Sequence, residues 1–155
     1  MSKKALFILS RISIIIIGLC GVCICIFIYP FLVSLNGLSL GNEIAMWGQL
    51  TFYWLSSIPC FVILGFAWIV SKSFNTELFT YKNARYFKYS AILLLADSIF
   101  FLIGNIFFAI INCNPFAIIF FFLIVAALSL SLAFGAAGYY ITKATAIQEE
   151  NKGYI

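Results

Sequence analysis

Apolar residues in this chain gather in four long blocks, at about residues 12–35, 50–70, 91–111 and 116–141. Each block reaches the roughly 20 helical residues needed to cross a hydrocarbon core. Helix is the only assignment that satisfies backbone polar groups in lipid, because open strands leave edges unpaired and a closed barrel shows alternating polarity. The pattern predicts an all-α integral membrane four-helix bundle, a single membrane domain over residues 1–155. Aromatic residues bracket the blocks: Tyr29, Trp47, Tyr53 and Trp54 at one interface, and Trp68, Tyr86, Tyr89, Tyr139 and Tyr140 at the other.

The connections between blocks differ in charge, and the difference orients them. All nine Lys and Arg residues fall before block one (Lys3, Lys4, Arg11), between blocks two and three (Lys72, Lys82, Arg85, Lys88), or after block four (Lys143, Lys152). By the positive-inside rule, both termini, a loop at 71–90 and a tail at 142–155 are cytoplasmic. The net charge of +4 is then explained by juxtamembrane contact with anionic lipid head groups, and direct nucleic-acid binding is not expected. With 65% hydrophobic and 9% charged residues, a soluble enzyme domain is excluded. The first block is too long for a cleaved signal and lacks a small-residue cleavage site, so it should remain a span.

Local signals refine the connections. Asn36-Gly37 marks a turn, and Gly41-Asn42-Glu43 reads as a stop followed by an N-cap and an acid in the next first turn. Asn112-Cys113-Asn114-Pro115 is short enough to force spans three and four into an antiparallel hairpin, with Pro115 in a first turn. In the middle loop, Thr80 is placed to cap a helix running straight into span three. Its Lys82, Arg85 and Lys88 recur at three-residue spacing while Phe79, Asn83 and Phe87 share another face. This predicts an amphipathic cytoplasmic helix, its basic side on phosphates and its aromatic side in the acyl boundary. The tail continues helix four as a polar helix through Gln148-Glu149-Glu150 until Gly153.

Asp97 is the one acid or base well inside a span, where a carboxylate costs several kcal/mol unless neutralised or paired. Ser90, Asp97, Gly104, Asn105 and Asn112 recur at seven or eight residues, which draws a polar stripe that should face protein. Two readings follow: a proton or cation relay with Asn105 as neighbour, or a structural ion pair with Arg11, or with Lys143, reaching inward. The intramembrane candidates are thus Asp97, Asn105 and Arg11.

Other chemistry is thin. Cys20-x-x-Cys23 has ligand-pair spacing, yet it lies mid-span in a chain without histidine, so the cysteines read as small packing residues and no metal or cofactor is expected. Gly18, Gly21, Gly65, Ala133, Ala137 and Gly138 should allow close helix contact, more for the bundle than for a homo-oligomer, which stays open. Pro59 with Ser56 and Ser57 predicts a kink in helix two. No imidazole base, aspartyl dyad, phosphate-cradling loop or paired catalytic carboxylates can be assembled, which points away from an enzyme.

Two segments carry a resemblance. Phe79-Thr80-Tyr81-Lys82-Asn83-Ala84-Arg85-Tyr86-Phe87-Lys88, leading into an apolar span, resembles the middle loop of the bacterial family called domain of unknown function 2975. Ala146-Ile147-Gln148-Glu149-Glu150-Asn151 looks like that family's closing helix, although Lys152, Gly153 and Tyr154 replace its usual Asp-Leu-Thr ending. The resemblance implies a small four-helix protein of a bacterial cell membrane, of a kind often encoded beside a helix-turn-helix regulator. A cytoplasmic protein partner is then expected on Lys82, Arg85, Lys88, Phe79, Phe87, Glu149 and Glu150. The alternatives are a small proton-coupled transporter using Asp97, and self-protection against a membrane-active peptide through Glu43.

Overall fold

A computed structural model describes residues 3–36, 40–73, 79–112 and 117–152. It consists of four helices: α1 (Lys3–Asn36), α2 (Leu40–Lys72), α3 (Tyr81–Asn112) and α4 (Ala117–Lys152). All four are long and apolar enough to cross a membrane. The predicted turn at Gly37, the connection at Cys113, Asn114 and Pro115, and the stop at Gly153 lie outside the described residues, as do the side chains of Asn42 and Glu43.

The helices run well past the apolar blocks that predict them. At 32 to 36 residues each, they span about 48 to 54 Å at a rise of roughly 1.5 Å per residue, against a hydrocarbon core of about 30 Å. The supposed loop at 71–90 is therefore mostly helix, and 81–90 is the opening of α3 rather than an element of its own. Thr80 caps it as expected: the Asn83 amide donates to Thr80 Oγ1 at 3.3 Å and the Ala84 amide to the Thr80 carbonyl at 3.0 Å. Pro30 and Pro59 both lie inside helices that continue through them.

Large apolar side chains face outward, with Leu132 at 77%, Ile110 at 76% and Phe122 at 67% exposure, while the interior is as polar as it is apolar. Gln49, Ser56, Ser71, Asn83, Ser90, Ser98, Ser131 and Thr145 are buried alongside Leu32, Met46, Leu50, Val70, Leu94, Ile124 and Ile141. In water such a surface would aggregate. In lipid it is the expected arrangement, since tails solvate leucine as well as another helix does and small polar residues hold the helices together.

Packing follows chain order. The backbone of α1 approaches only α2, α2 also meets α3, and α3 makes its most extensive contact with α4, among the described residues. Several contacts fix α1 on α2. Gly18 faces Leu64, Gly21 lies against the Phe61 ring, Trp54 Nε1 donates to the Cys25 carbonyl at 3.1 Å, and the Tyr29 and Trp47 rings meet at 5.8 Å. On α4, Gly138 lies against the backbone at Ala84 and Lys88, Gly135 faces Ala91, and Ser131 Oγ donates to the Ala91 carbonyl at 2.8 Å. Of the small residues expected to pack the bundle, Gly18, Gly21 and Gly138 do so and Gly135 adds to them, whereas Gly65 has open space beside it and Ala133 is exposed.

Aromatic residues join α2, α3 and α4. Phe52 lies among Phe100, Phe101 and Phe108, and Tyr53 touches Phe101 and Phe120. Tyr53 is thus a seam residue of the bundle, not part of an outer aromatic belt. Trp54, half-exposed, likewise turns its indole N–H to α1.

Candidate functional site

Two places in this frame gather chemistry: the middle of the α2–α3 contact, and the end of the bundle where the basic residues collect. In the first, Ser56 of α2 donates its hydroxyl to Asp97 Oδ1 of α3 at 3.1 Å. Both residues fall in the middle third of their candidate spans, Met46–Lys72 and Tyr81–Phe108. The stripe on α3 does turn inward: Ser90 and Gly104 are buried, and Asp97 and Asn105 half-buried. Ser98 is also buried, with its hydroxyl returned to the Leu94 carbonyl at 2.6 Å.

Arg11 does not join this site. Its guanidinium carbon lies 4.4 Å from the centre of the Phe7 ring and 4.3 Å from that of Trp68. From Ser56 to Trp68, α2 rises about 18 Å at roughly 1.5 Å per residue, further than an arginine side chain extends. Lys143 is no nearer, for it borders a groove with Phe79 at the far end of α4. The expected ion pair is therefore replaced by two separate features, a carboxyl met by a serine hydroxyl and an arginine held between rings. Asp97 has no basic partner among the described residues. Ser56 is a site residue that sequence reading assigned only to a proline kink, and its signal was polarity at a buried helical position.

At the basic end, the first turns of α3 and the last turns of α4 form an antiparallel pair. Lys82, Arg85 and Lys88 are exposed on it, so the three-residue spacing does mark an outer face. The opposite face departs from expectation. Asn83 is buried and accepts a hydrogen bond from Ser73 Oγ at 3.2 Å, and Phe87 packs on Phe134 of α4 at 5.9 Å. This face is a seam between helices rather than a surface sunk in acyl chains. Ile141 and Thr145 are buried in it, and Tyr81 donates its hydroxyl to Glu149 Oε2 at 3.3 Å across its tip. Glu150 and Phe79 are exposed. Phe79, Ala137, Tyr140, Ile141, Lys143, Ala144 and Ile147 line an open apolar groove of about 410 Å³ along this pair.

Cys20, Cys23 and Cys60 are exposed on apolar helix surfaces and Cys25 is half-buried. Cys20 and Cys23 are therefore not the packing residues their size implied, and Cys113 lies outside the described residues. Compared with known proteins, the chain matches no family model, no curated protein and no solved structure.

Proposed function

We propose that this is a non-enzymatic, multi-pass protein of a bacterial cell membrane, with both termini cytoplasmic, that binds a cytoplasmic regulatory protein through the paired ends of α3 and α4. The observation that carries the reading is this pair. Its interior is closed by Asn83, Ala84, Ile141 and Thr145, while its outside keeps a row of three cations and an apolar groove. Two packed helices fix the backbone that carries these side chains, so no backbone ordering is added to the cost of binding, which favours recognition over a passive connector. The charge asymmetry supports the orientation, and the resemblance of residues 79–88 and 146–151 supports a helix-turn-helix regulator as the partner.

Photocrosslinking in membranes from Lys82, Phe79 and Ile147 tests it. One soluble protein should be captured at all three positions and lost when Arg85 and Lys88 are both changed to Gln. Capture of lipid alone would overturn the reading.

A second reading rests on Asp97. A mid-span carboxyl with a hydroxyl donor and no basic partner among the described residues is the kind of group that proton coupling in a small transporter would use. Asp97→Asn preserves the acceptor for Ser56 and should leave stability near wild type while abolishing potential-driven proton entry into proteoliposomes. Equal proton entry with wild type and Asp97→Asn, or none with wild type, removes this reading.

A further inference from the structure

Arg11 is the least accounted-for charge in the molecule. Its guanidinium carbon lies over the ring of Phe7, one turn before it on α1, and over the ring of Trp68 on α2. A guanidinium hydrogen-bonds only in its own plane, so with two rings packed against it its edge is the direction in which it can act. Its Nε is sealed from solvent and has no acceptor, and among the described residues no hydrogen bond or ion pair engages the rest of the fork. A partly desolvated cation without a counter-ion is costly, and an acidic oxygen at the open edge relieves that cost.

The surroundings say where that oxygen comes from. Trp68 is one turn from Lys72 at the end of α2, which sets Arg11 at the level of the basic end, near Lys4 and Lys72. Because α1 packs on α2 alone, its other faces are open: Ile8, Ile12 and Ile15 are 55%, 49% and 50% exposed. A molecule meeting Arg11 from that side therefore has a cation at the basic end next to a bare apolar helix.

We propose that Phe7, Arg11 and Trp68 form a binding site for the phosphodiester of a membrane lipid, its acyl chains lying along the exposed face of α1 and anionic head groups favoured by Lys4 and Lys72. The rings hold the fork in one orientation, so little side-chain entropy remains to be lost when the phosphate binds. Lysine cannot substitute, because an ammonium neither lies flat between two rings nor presents a fork.

Native mass spectrometry of the full chain in neutral detergent, titrated with phosphatidylglycerol, tests the site. Wild type should retain one lipid tightly. Arg11→Lys and Trp68→Leu should each weaken that first binding about tenfold, the loss expected for a charge-assisted hydrogen-bond pair. Unchanged retention in Arg11→Lys would overturn the proposal, and so would displacement of the lipid by millimolar inorganic phosphate, which would assign the site to a soluble anion. A measurement free of mutations at the site guards against a misfolded variant. The chain has two arginines, so Arg85→Lys leaves Arg11 as the one nitrogen-labelled guanidinium. Solid-state NMR in phosphatidylglycerol vesicles under phosphate-free buffer should then find a lipid phosphorus within about 4 Å of its nitrogens, the separation that a direct N–H···O–P bond gives. The absence of that coupling would overturn the proposal equally.

Discussion

Asp97→Arg is expected to abolish recovery of folded protein, and adding Arg11→Asp should not restore it. The single change places a guanidinium in the middle third of α3, where insertion costs about 2.5–3.5 kcal/mol even with snorkelling. It also removes the acceptor of the Ser56 hydroxyl. Were the two residues an ion pair, exchanging them would recreate it with reversed polarity. They are instead separated along the bundle by about 18 Å, and the exchange strands both charges: an arginine facing Ser56 and a carboxylate between Phe7 and Trp68, whose ring faces repel it. Yield of monodisperse protein and the thermal midpoint in detergent provide the measurement. A double variant that returns to wild-type behaviour would show that Arg11 and Asp97 meet.

The second large effect belongs to Gly104. The Phe52 ring lies directly over it, so that a Cβ at this position would overlap ring carbons. A phenyl ring can sometimes swing aside, but this one is wedged: its centroid is 4.9 Å from that of Phe100 and 5.5 Å from those of Phe101 and Phe108. Gly104→Ala should therefore cost roughly 1–3 kcal/mol, the range for overpacking a closed core, and Gly104→Leu more. Phe52→Ala alone should cost about 3–5 kcal/mol through the space it leaves. The double variant should cost clearly less than the two together, because the new methyl occupies room vacated by the ring. Strict additivity in thermal unfolding would mean that Phe52 and Gly104 do not share a site.

These two cases also mark the line between what the chain discloses and what only packing determines. Residues 12–35 and their three counterparts announce helices because nothing else buries so many apolar side chains at that length. Thr80, with Lys82, Arg85 and Lys88 after it, announces a cap and an outer face because both depend on neighbours within a turn or two. The inward turn of Ser90, Asp97 and Gly104 is legible for the same reason. The partner of Asp97 is not, since it depends on the axial offset between α2 and α3, and no local pattern encodes that. Gly65 and Gly104 are equally plain glycines in sequence, and only the neighbouring helix decides that one meets open space and the other an aromatic ring. The clamp on Arg11 was half visible: Phe7 stands one turn before it, while Trp68 comes from another helix.

The reach of α3 and α4 has a last consequence. With a length of about 54 Å, α4 extends roughly 20 Å or more past a 30 Å hydrocarbon layer, and α3 accompanies it for much of that way. Ionic screening at physiological salt acts over about 8 Å. The pair is therefore a mast whose foot and tip lie in different electrical environments. Lys88 stands nearer the foot, while Tyr81 and its partner Glu149 stand seven residues, or about 10 Å, further along α3, a little more than one screening length beyond it. Anything bound near the tip feels a change in lipid charge a few-fold less strongly than anything bound near the foot.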